Sequence, residues 1–122
     1  MTFTDPQAAG SHFQHGLDLL AAGDASEAAR AFRAAIASDE HFYEAHHGLV
    51  RALREDGQLE PAIGAALALT ALTPNDPLAH TALSISLQTA GHIPEAEAAA
   101  ARARILEWKI QLQSSPGEEK SL

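Results

Sequence analysis

The sequence predicts an all-α fold, an α-solenoid in which three antiparallel helix hairpins stack on one another. Glycine recurs every 34 residues, at Gly23, Gly57 and Gly91. A leucine stands four residues before each of these glycines, a histidine eleven residues before it and an alanine five residues after it. A constant period of this length is typical of repeat proteins in which each unit is one helix hairpin.

Capping residues define the first hairpin. Asp5 is expected to accept hydrogen bonds from the first-turn amides of a helix in which Pro6 takes the first position. That helix is expected to end at Gly23, because glycine readily adopts the left-handed conformation found at helix ends. Asp24 then begins the second helix, with Glu27 three residues later as in a capping box.

The second and third hairpins repeat this plan. The second is predicted over about residues 41–72, with a turn at Gly57 and with Pro61 in the first turn of its second helix. A segment rich in proline and asparagine separates it from the third hairpin. The third is predicted over residues 78–113, with a turn at Gly91.

Small residues recur at corresponding positions of the repeats. These small residues are Gly16, Ala28 and Ala35 in the first repeat, Ala62 in the second, and Ala96 and Ala103 in the third. Phe32 stands between the small residues of the first repeat, and Pro74 ends the second. With this pattern the chain resembles the tetratricopeptide repeat family, whose members form right-handed superhelical stacks of helix hairpins.

The resemblance implies a single domain of three repeats, with an extension of the last helix to about residue 113. The repeats are residues 9–42, 43–76 and 77–110. Residues 1–8 are assigned to a lead and helix cap. Residues 114–122 are expected to be disordered, because they are polar and contain proline and glycine.

Six positions depart from the family pattern, and two of them, Glu40 and Trp108, stand where the repeat-ending proline would be. Val50 and Ser84 stand where the family has a small residue in the first helix, and Ala66 and Ala100 stand where it has a large aromatic residue. Glycine also occurs inside the predicted helices, where it indicates close helix packing rather than catalysis. These glycines are Gly16, Gly48 and Gly64.

The resemblance implies that the first helix of each repeat lines a concave face, on which a protein or peptide partner would bind. The implied face comprises Gly10, Phe13, Leu17, Leu20, Glu44, His47, Arg51, Arg54, Leu78, Thr81, Ile85 and Gln88. The functional interpretation of Arg51 and Arg54 is that they pair with a carboxylate of the partner. The favoured interpretation is that both arginines form a solvated helix face with Glu44 and Glu55, because exposed pairs contribute little.

Family members that bind the acidic C-terminal tails of chaperones carry a clamp of lysine, asparagine and arginine on this face. The matching positions here are Phe13, Leu17, His47, Arg51, Thr81 and Ile85. The resemblance therefore does not imply binding of chaperone tails.

Two apolar segments favour a second function, a homo-oligomeric structural unit. Residues 62–72 contain no charged side chain, although alanine and threonine would also leave a featureless exposed surface. The last helix continues past the third repeat with further apolar residues, and the favoured interpretation is that this extension folds back to cap its own repeat. The candidate contact residues are Leu67, Trp108, Ile110 and Leu112.

The histidines do not predict a metal site. His12, His46 and His80 occupy the same position in successive repeats and would lie about 8–10 Å apart, too far to share one ion. They are expected to pack between helices with one ring nitrogen hydrogen-bonded.

Composition excludes several other functions. A net charge of −8 disfavours a nucleic-acid partner, and the absence of cysteine excludes disulfides and thiolate metal sites. No phosphate-binding loop or nucleophile motif is present, so neither catalysis nor a cofactor is expected. No signal peptide or membrane span is recognisable, which favours a cytoplasmic location. The preference for alanine and for arginine over lysine suggests a GC-rich, bacterial source.

Overall fold

The computed structural model describes residues 4–114, which form six α-helices and no strand. The helices are α1 (Pro6–Ala21), α2 (Ala25–Ser38), α3 (Tyr43–Glu55), α4 (Leu59–Leu72), α5 (Pro77–Thr89) and α6 (Ile93–Ser114). Each helix packs against its neighbours in sequence, with further contacts between α1 and α3 and between α3 and α5. The predicted all-α stack of three hairpins is thus confirmed.

Aspartate side chains begin the first helix of the first and third hairpins and the second helix of the first hairpin. Asp5 Oδ1 accepts from the amide of Ala8 at 3.1 Å, and Asp24 Oδ1 accepts from Glu27 at 3.3 Å. Asp76 Oδ1 accepts from the amide of residue 78 at 3.0 Å. Each carboxylate satisfies an amide that the helix itself leaves unpaired, as the sequence predicts.

The three repeated glycines form equivalent turns between the helices of each hairpin. Their φ angles are 85°, 79° and 87°, for Gly23, Gly57 and Gly91 respectively. The amide that follows each glycine donates to the carbonyl of the repeated leucine at 2.8–2.9 Å. This is the hydrogen bonding of a helix end closed by a left-handed residue, and it explains the constant position of glycine.

Phe32 fills the junction between the first two repeats. Its ring is fully buried and lies between Gly16 of α1 and Gly48 of α3. A Cβ atom at Gly16 would lie 2.6 Å from Phe32 Cε1, and one at Gly48 would lie 2.7 Å from it. Both glycines therefore provide space for the ring, as predicted. Gly64 is different, because a Cβ there would meet no atom within 4 Å.

A second cluster fills the junction between the second and third repeats. Its buried members are Val50, Ile63, Ala66, Leu83 and Ala99, and Ala82 packs against them. No side chain of this cluster is aromatic, in contrast to the cluster around Phe32.

Two of the three repeated histidines attach a helix to the loop that precedes it. His46 Nε2 lies 2.9 Å from the carbonyl oxygen of Glu40, and His80 Nε2 lies 2.8 Å from that of Pro74. Because a carbonyl only accepts, each Nε2 donates a proton. His12 is exposed on α1. Within residues 4–114, no three histidine or acidic side chains converge as metal ligands would.

The prediction that the C-terminal extension folds back is wrong. Helix α6 runs without a break to Ser114, and every side chain from Glu107 to Ser114 is exposed. The partner helix α5 spans only 13 residues whereas α6 spans 22, so among the described residues the part of α6 after Leu106 has no helix to pack on. Ser114, assigned to the tail, is the last residue of α6, and residues 115–122 lie outside the described part.

None of the six helices combines the length and the hydropathy that a membrane span requires.

Candidate functional site

A groove of about 460 Å³ lies between α3 and α5. Each helix contributes one stripe of side chains, because residues three or four apart share a helix face. From α3 these are Glu44, His47, Val50, Arg51 and Arg54, and from α5 they are Leu78, Thr81, Ala82 and Ile85. The walls are predominantly apolar on the α5 side and charged or polar on the α3 side.

The structure brings together most of the residues assigned to the concave face in the second and third repeats. Gln88 lies apart from them, in a smaller groove of about 160 Å³ between α5 and α6. Val50 and Ala82 also line the main groove but were not assigned to it. Val50 and Ala82 stand one repeat period after Gly16 and Gly48. Their spacing along α3 and α5 from the assigned residues was the sequence signal that identifies them as groove positions.

The assigned residues of the first repeat lie outside this groove. Leu20 is buried in the core cluster around Phe32, and Phe13 is half-buried. The Phe13 ring packs 5.8 Å from the ring of Phe32 and 5.0 Å from that of Phe42, measured between centroids. Leu17 is exposed. At the apolar end of the assigned face, Leu20 is thus part of the core and Phe13 packs against it.

The two groove arginines differ in their interactions. Arg51 Nε donates to Glu55 Oε2 at 2.6 Å across one helical turn, in an exposed pair that contributes little to stability. Arg54 is half-buried, and its side chain has no hydrogen bond or ion pair with residues 4–114. The Arg54 guanidinium therefore offers its donors to the groove.

His47 lies between the arginines and the start of α3, and its environment disfavours the charged form. Burial lowers the pKa of His47, and the neighbouring His46 lowers it further, while the carboxylates of Asp76 and Glu44 oppose the shift. A neutral imidazole in the groove can both donate and accept a hydrogen bond.

The architecture is that of a helical repeat protein with an open groove between the first helices of its second and third hairpins. The sequence profile of the tetratricopeptide repeat family matches residues 19–85, more than half of the 122-residue chain. The chain belongs to the tetratricopeptide repeat family.

Solved structures of such proteins have the same fold. MamA matches with a TM-score of 0.78 and 20% sequence identity over 88% of this chain and 63% of its own. The TPR2AB domain of yeast Sti1, solved in complex with pHSP90, matches with 0.82 and 17% over 97% of this chain and 46% of its own.

The translocator chaperone SycD of the Yersinia enterocolitica type III secretion system, solved as an alternative dimer, matches with a TM-score of 0.77 and 17% identity. The match covers 95% of this chain and 84% of SycD. The present chain thus spans less than two thirds of MamA and of the Sti1 structure. No protein of curated function matches the sequence.

Proposed function

We propose that the chain is a non-enzymatic, cytoplasmic protein-interaction module that binds a peptide segment of a partner in the α3–α5 groove. The observation that carries the proposal is the juxtaposition of an apolar wall with an unpaired arginine in one open groove. Family membership supports it, as does the fold shared with the Sti1 domain, which was solved with pHSP90.

The groove chemistry indicates the class of peptide. Leu78, Ala82 and Ile85 offer apolar surface that would cover aliphatic or aromatic side chains. Arg54 presents a planar set of donors suited to a carboxylate, and a charge-assisted bond contributes about 1.5–3 kcal/mol. We therefore expect a peptide in which an acidic residue lies beside apolar ones.

A displayed library of random peptides tests this proposal. Peptides enriched on the wild-type chain are labelled, and their affinities are measured by fluorescence anisotropy. Arg54→Ala is expected to weaken binding about tenfold, because it removes the charged hydrogen bond. Arg51→Ala together with Arg54→Ala should weaken it further.

Arg30→Ala is the matched control, because Arg30 forms a similar exposed pair, 3.7 Å from Glu27, on helix α2. It should leave the affinity unchanged. If the double groove variant binds the selected peptides as tightly as Arg30→Ala does, the groove is not the binding site.

A further inference from the structure

Helix α6 carries an apolar seam, exposed except for the half-buried Ala101, on the side opposite its core contacts. The seam comprises Ala98, Ala101, Ile105, Trp108 and Leu112, whose alternating spacings of three and four residues follow the heptad pattern of a coiled coil. Ile105 is 45% exposed, Trp108 61% and Leu112 49%. The core contacts use other residues, Ala96, Ala99, Ala103 and Leu106, all of them buried.

Side-chain size changes along the seam. The first half presents only alanine, and the second half presents the large side chains of Ile105, Trp108 and Leu112. In a parallel pair of such helices, large residues would meet large ones and small residues small ones. In an antiparallel pair centred near residue 103, Trp108 would oppose Ala98 of the second helix and Ile105 would oppose Ala101. Such interlocking of large and small side chains gives even packing.

The charge of the side chains beside the seam also changes along α6, from acidic near its start to basic further on. Glu95 and Glu97 flank the first half of the seam and Lys109 flanks the second, while Arg102 and Arg104 lie at its centre. Antiparallel pairing about residue 103 sets the acidic start of each helix against Lys109 of the other and brings Arg102 and Arg104 next to their own copies. In the register given by the large and small residues, Glu95 comes next to Lys109 of the second helix, twice by symmetry.

We propose that α6 pairs with α6 of a second copy of this chain, in an antiparallel arrangement about a two-fold axis near residue 103. The size gradient and the pairing of Glu95 with Lys109 are independent of each other, and this one arrangement matches both. Helix α6 contributes no residue to the α3–α5 groove. Both grooves of the dimer thus remain open, and the proposal does not depend on what they bind.

Sedimentation equilibrium over a wide concentration range tests the dimer. The wild-type chain is expected to form a reversible dimer. Trp108→Ala with Leu112→Ala should raise the dimer dissociation constant about tenfold or more, because the large seam residues lose their contacts. Both side chains are exposed in the single chain, so helicity by circular dichroism should not change.

A matched control uses the exposed apolar residues of α4. Leu67→Ala with Leu72→Ala removes side chains that are 51% and 41% exposed but lie outside the seam. This variant should dimerise like the wild type. A wild-type chain that stays monomeric up to its solubility limit would overturn the proposal. Equal weakening by the two double variants would also overturn it.

Charge reversal tests the register. Glu95→Lys should weaken the dimer by placing lysine next to lysine, and Lys109→Glu should weaken it by placing glutamate next to glutamate. The combined variant restores opposite charges and should recover most of the lost affinity at low salt, where exposed charges interact most strongly. Additive weakening by the two changes would contradict the antiparallel register.

Crosslinking tests the direction of pairing, because the chain contains no cysteine of its own. In Arg102→Cys the two thiols lie beside the two-fold axis, and a short bis-maleimide should join them. In Lys109→Cys they lie about 18 Å apart along the helices at 1.5 Å per residue, and should not be joined. A parallel pair would crosslink both variants, and this result would reject the antiparallel arrangement.

Discussion

The two junctions between repeats distribute side-chain volume in opposite ways. At the first junction, most of the side-chain volume belongs to α2, the second or outer helix of its hairpin. The Phe32 ring of α2 is enclosed by Gly16 and Gly48 of α1 and α3, the first or inner helices of their hairpins. At the second junction, the corresponding position on α4 is Ala66, one of the smallest side chains.

The inner helices supply the missing volume at the second junction. Val50 and Ala82 replace the two glycines one period later, and both belong to the cluster that contains Ala66. The same two side chains line the groove. Moving bulk from the outer helix to the inner helices thus keeps the junction filled and also places apolar side chains where a ligand would bind. The departures from the family pattern at Val50 and Ala66 are therefore a compensating pair.

Removing the central ring of the first junction should have the largest effect. Phe32→Ala is expected to lower the free energy of unfolding by about 3–5 kcal/mol. Removing the fully buried ring leaves a cavity, because the facing helices have only glycine at this level. Urea denaturation followed by circular dichroism measures the loss. A loss below about 1 kcal/mol would mean that α1 and α3 close over the space.

Adding one methyl group on either side of the ring should have a smaller but still clear effect. Gly48→Ala is expected to destabilise by about 1–3 kcal/mol, because the new Cβ would collide with Phe32. Gly64→Ala is the control, since its Cβ meets open space, and should stabilise by about 0.5–1 kcal/mol through helix propensity.

Phe32→Leu replaces the ring by a smaller side chain and so makes room for the new methyl group. Combining it with Gly48→Ala should therefore recover part of the lost stability. Purely additive losses in this double variant would indicate that Gly48 is needed for some reason other than space for Phe32.

The histidine attachments are common to both junctions, so they should contribute alike. His46→Ala and His80→Ala are each expected to destabilise by about 0.5–1 kcal/mol, through loss of the hydrogen bond to the preceding loop. His12→Ala, which removes an exposed side chain without such a bond, should change the stability little. The free energies come from the same denaturation experiment, and an equal loss in all three variants would assign the effect to helix packing instead.

The smallest expected effect is a pH dependence that belongs to the second junction alone, because the positions equivalent to His47 are Phe13 and Thr81. Burial lowers the pKa of His47 in the folded chain, so the unfolded chain binds the proton more readily. His47 should therefore reduce stability as the pH falls below its ordinary pKa of about 6.5 and approaches the lower folded value.

His47→Gln should show a weaker loss of stability between pH 7.5 and pH 5.5 than the wild type. His15→Gln, at an exposed position of α1, serves as the control. Identical pH profiles for wild type and His47→Gln would show that the His47 environment is the same in the folded and unfolded chain.

The sequence predicts the features that depend on local chemistry. Asp5 and Asp24 cap helices, and the glycine turns have the left-handed backbone that their spacing indicates, because each needs only a few neighbouring residues. Gly16 and Gly48 were also interpreted correctly as packing positions. Gly64 was not, since sequence gives no means to tell a glycine at a helix contact from one that faces solvent.

The features that depend on distant partners were less predictable. The apolar residues after Leu106 were interpreted as a cap, although the shorter helix α5 leaves them uncovered. Likewise, Leu20 was assigned to a binding face but packs in the core. In both cases the sequence shows that the residues are apolar. The surface on which they pack depends on the relative helix lengths in the first case and on the position of Phe32 in the second.

Because contacts connect mainly adjacent helices, the ends of the stack should open before its middle. Among residues 4–114, helix α1 contacts α2 and α3, and α6 packs on α5, so neither of these two helices is enclosed on both sides by described residues. Amide hydrogen exchange should therefore be slowest in α3 and α4 and faster towards both ends. The α3 side of the groove would belong to the last segment to unfold, whereas its α5 side would exchange earlier, and the binding surface would lose one wall before the other.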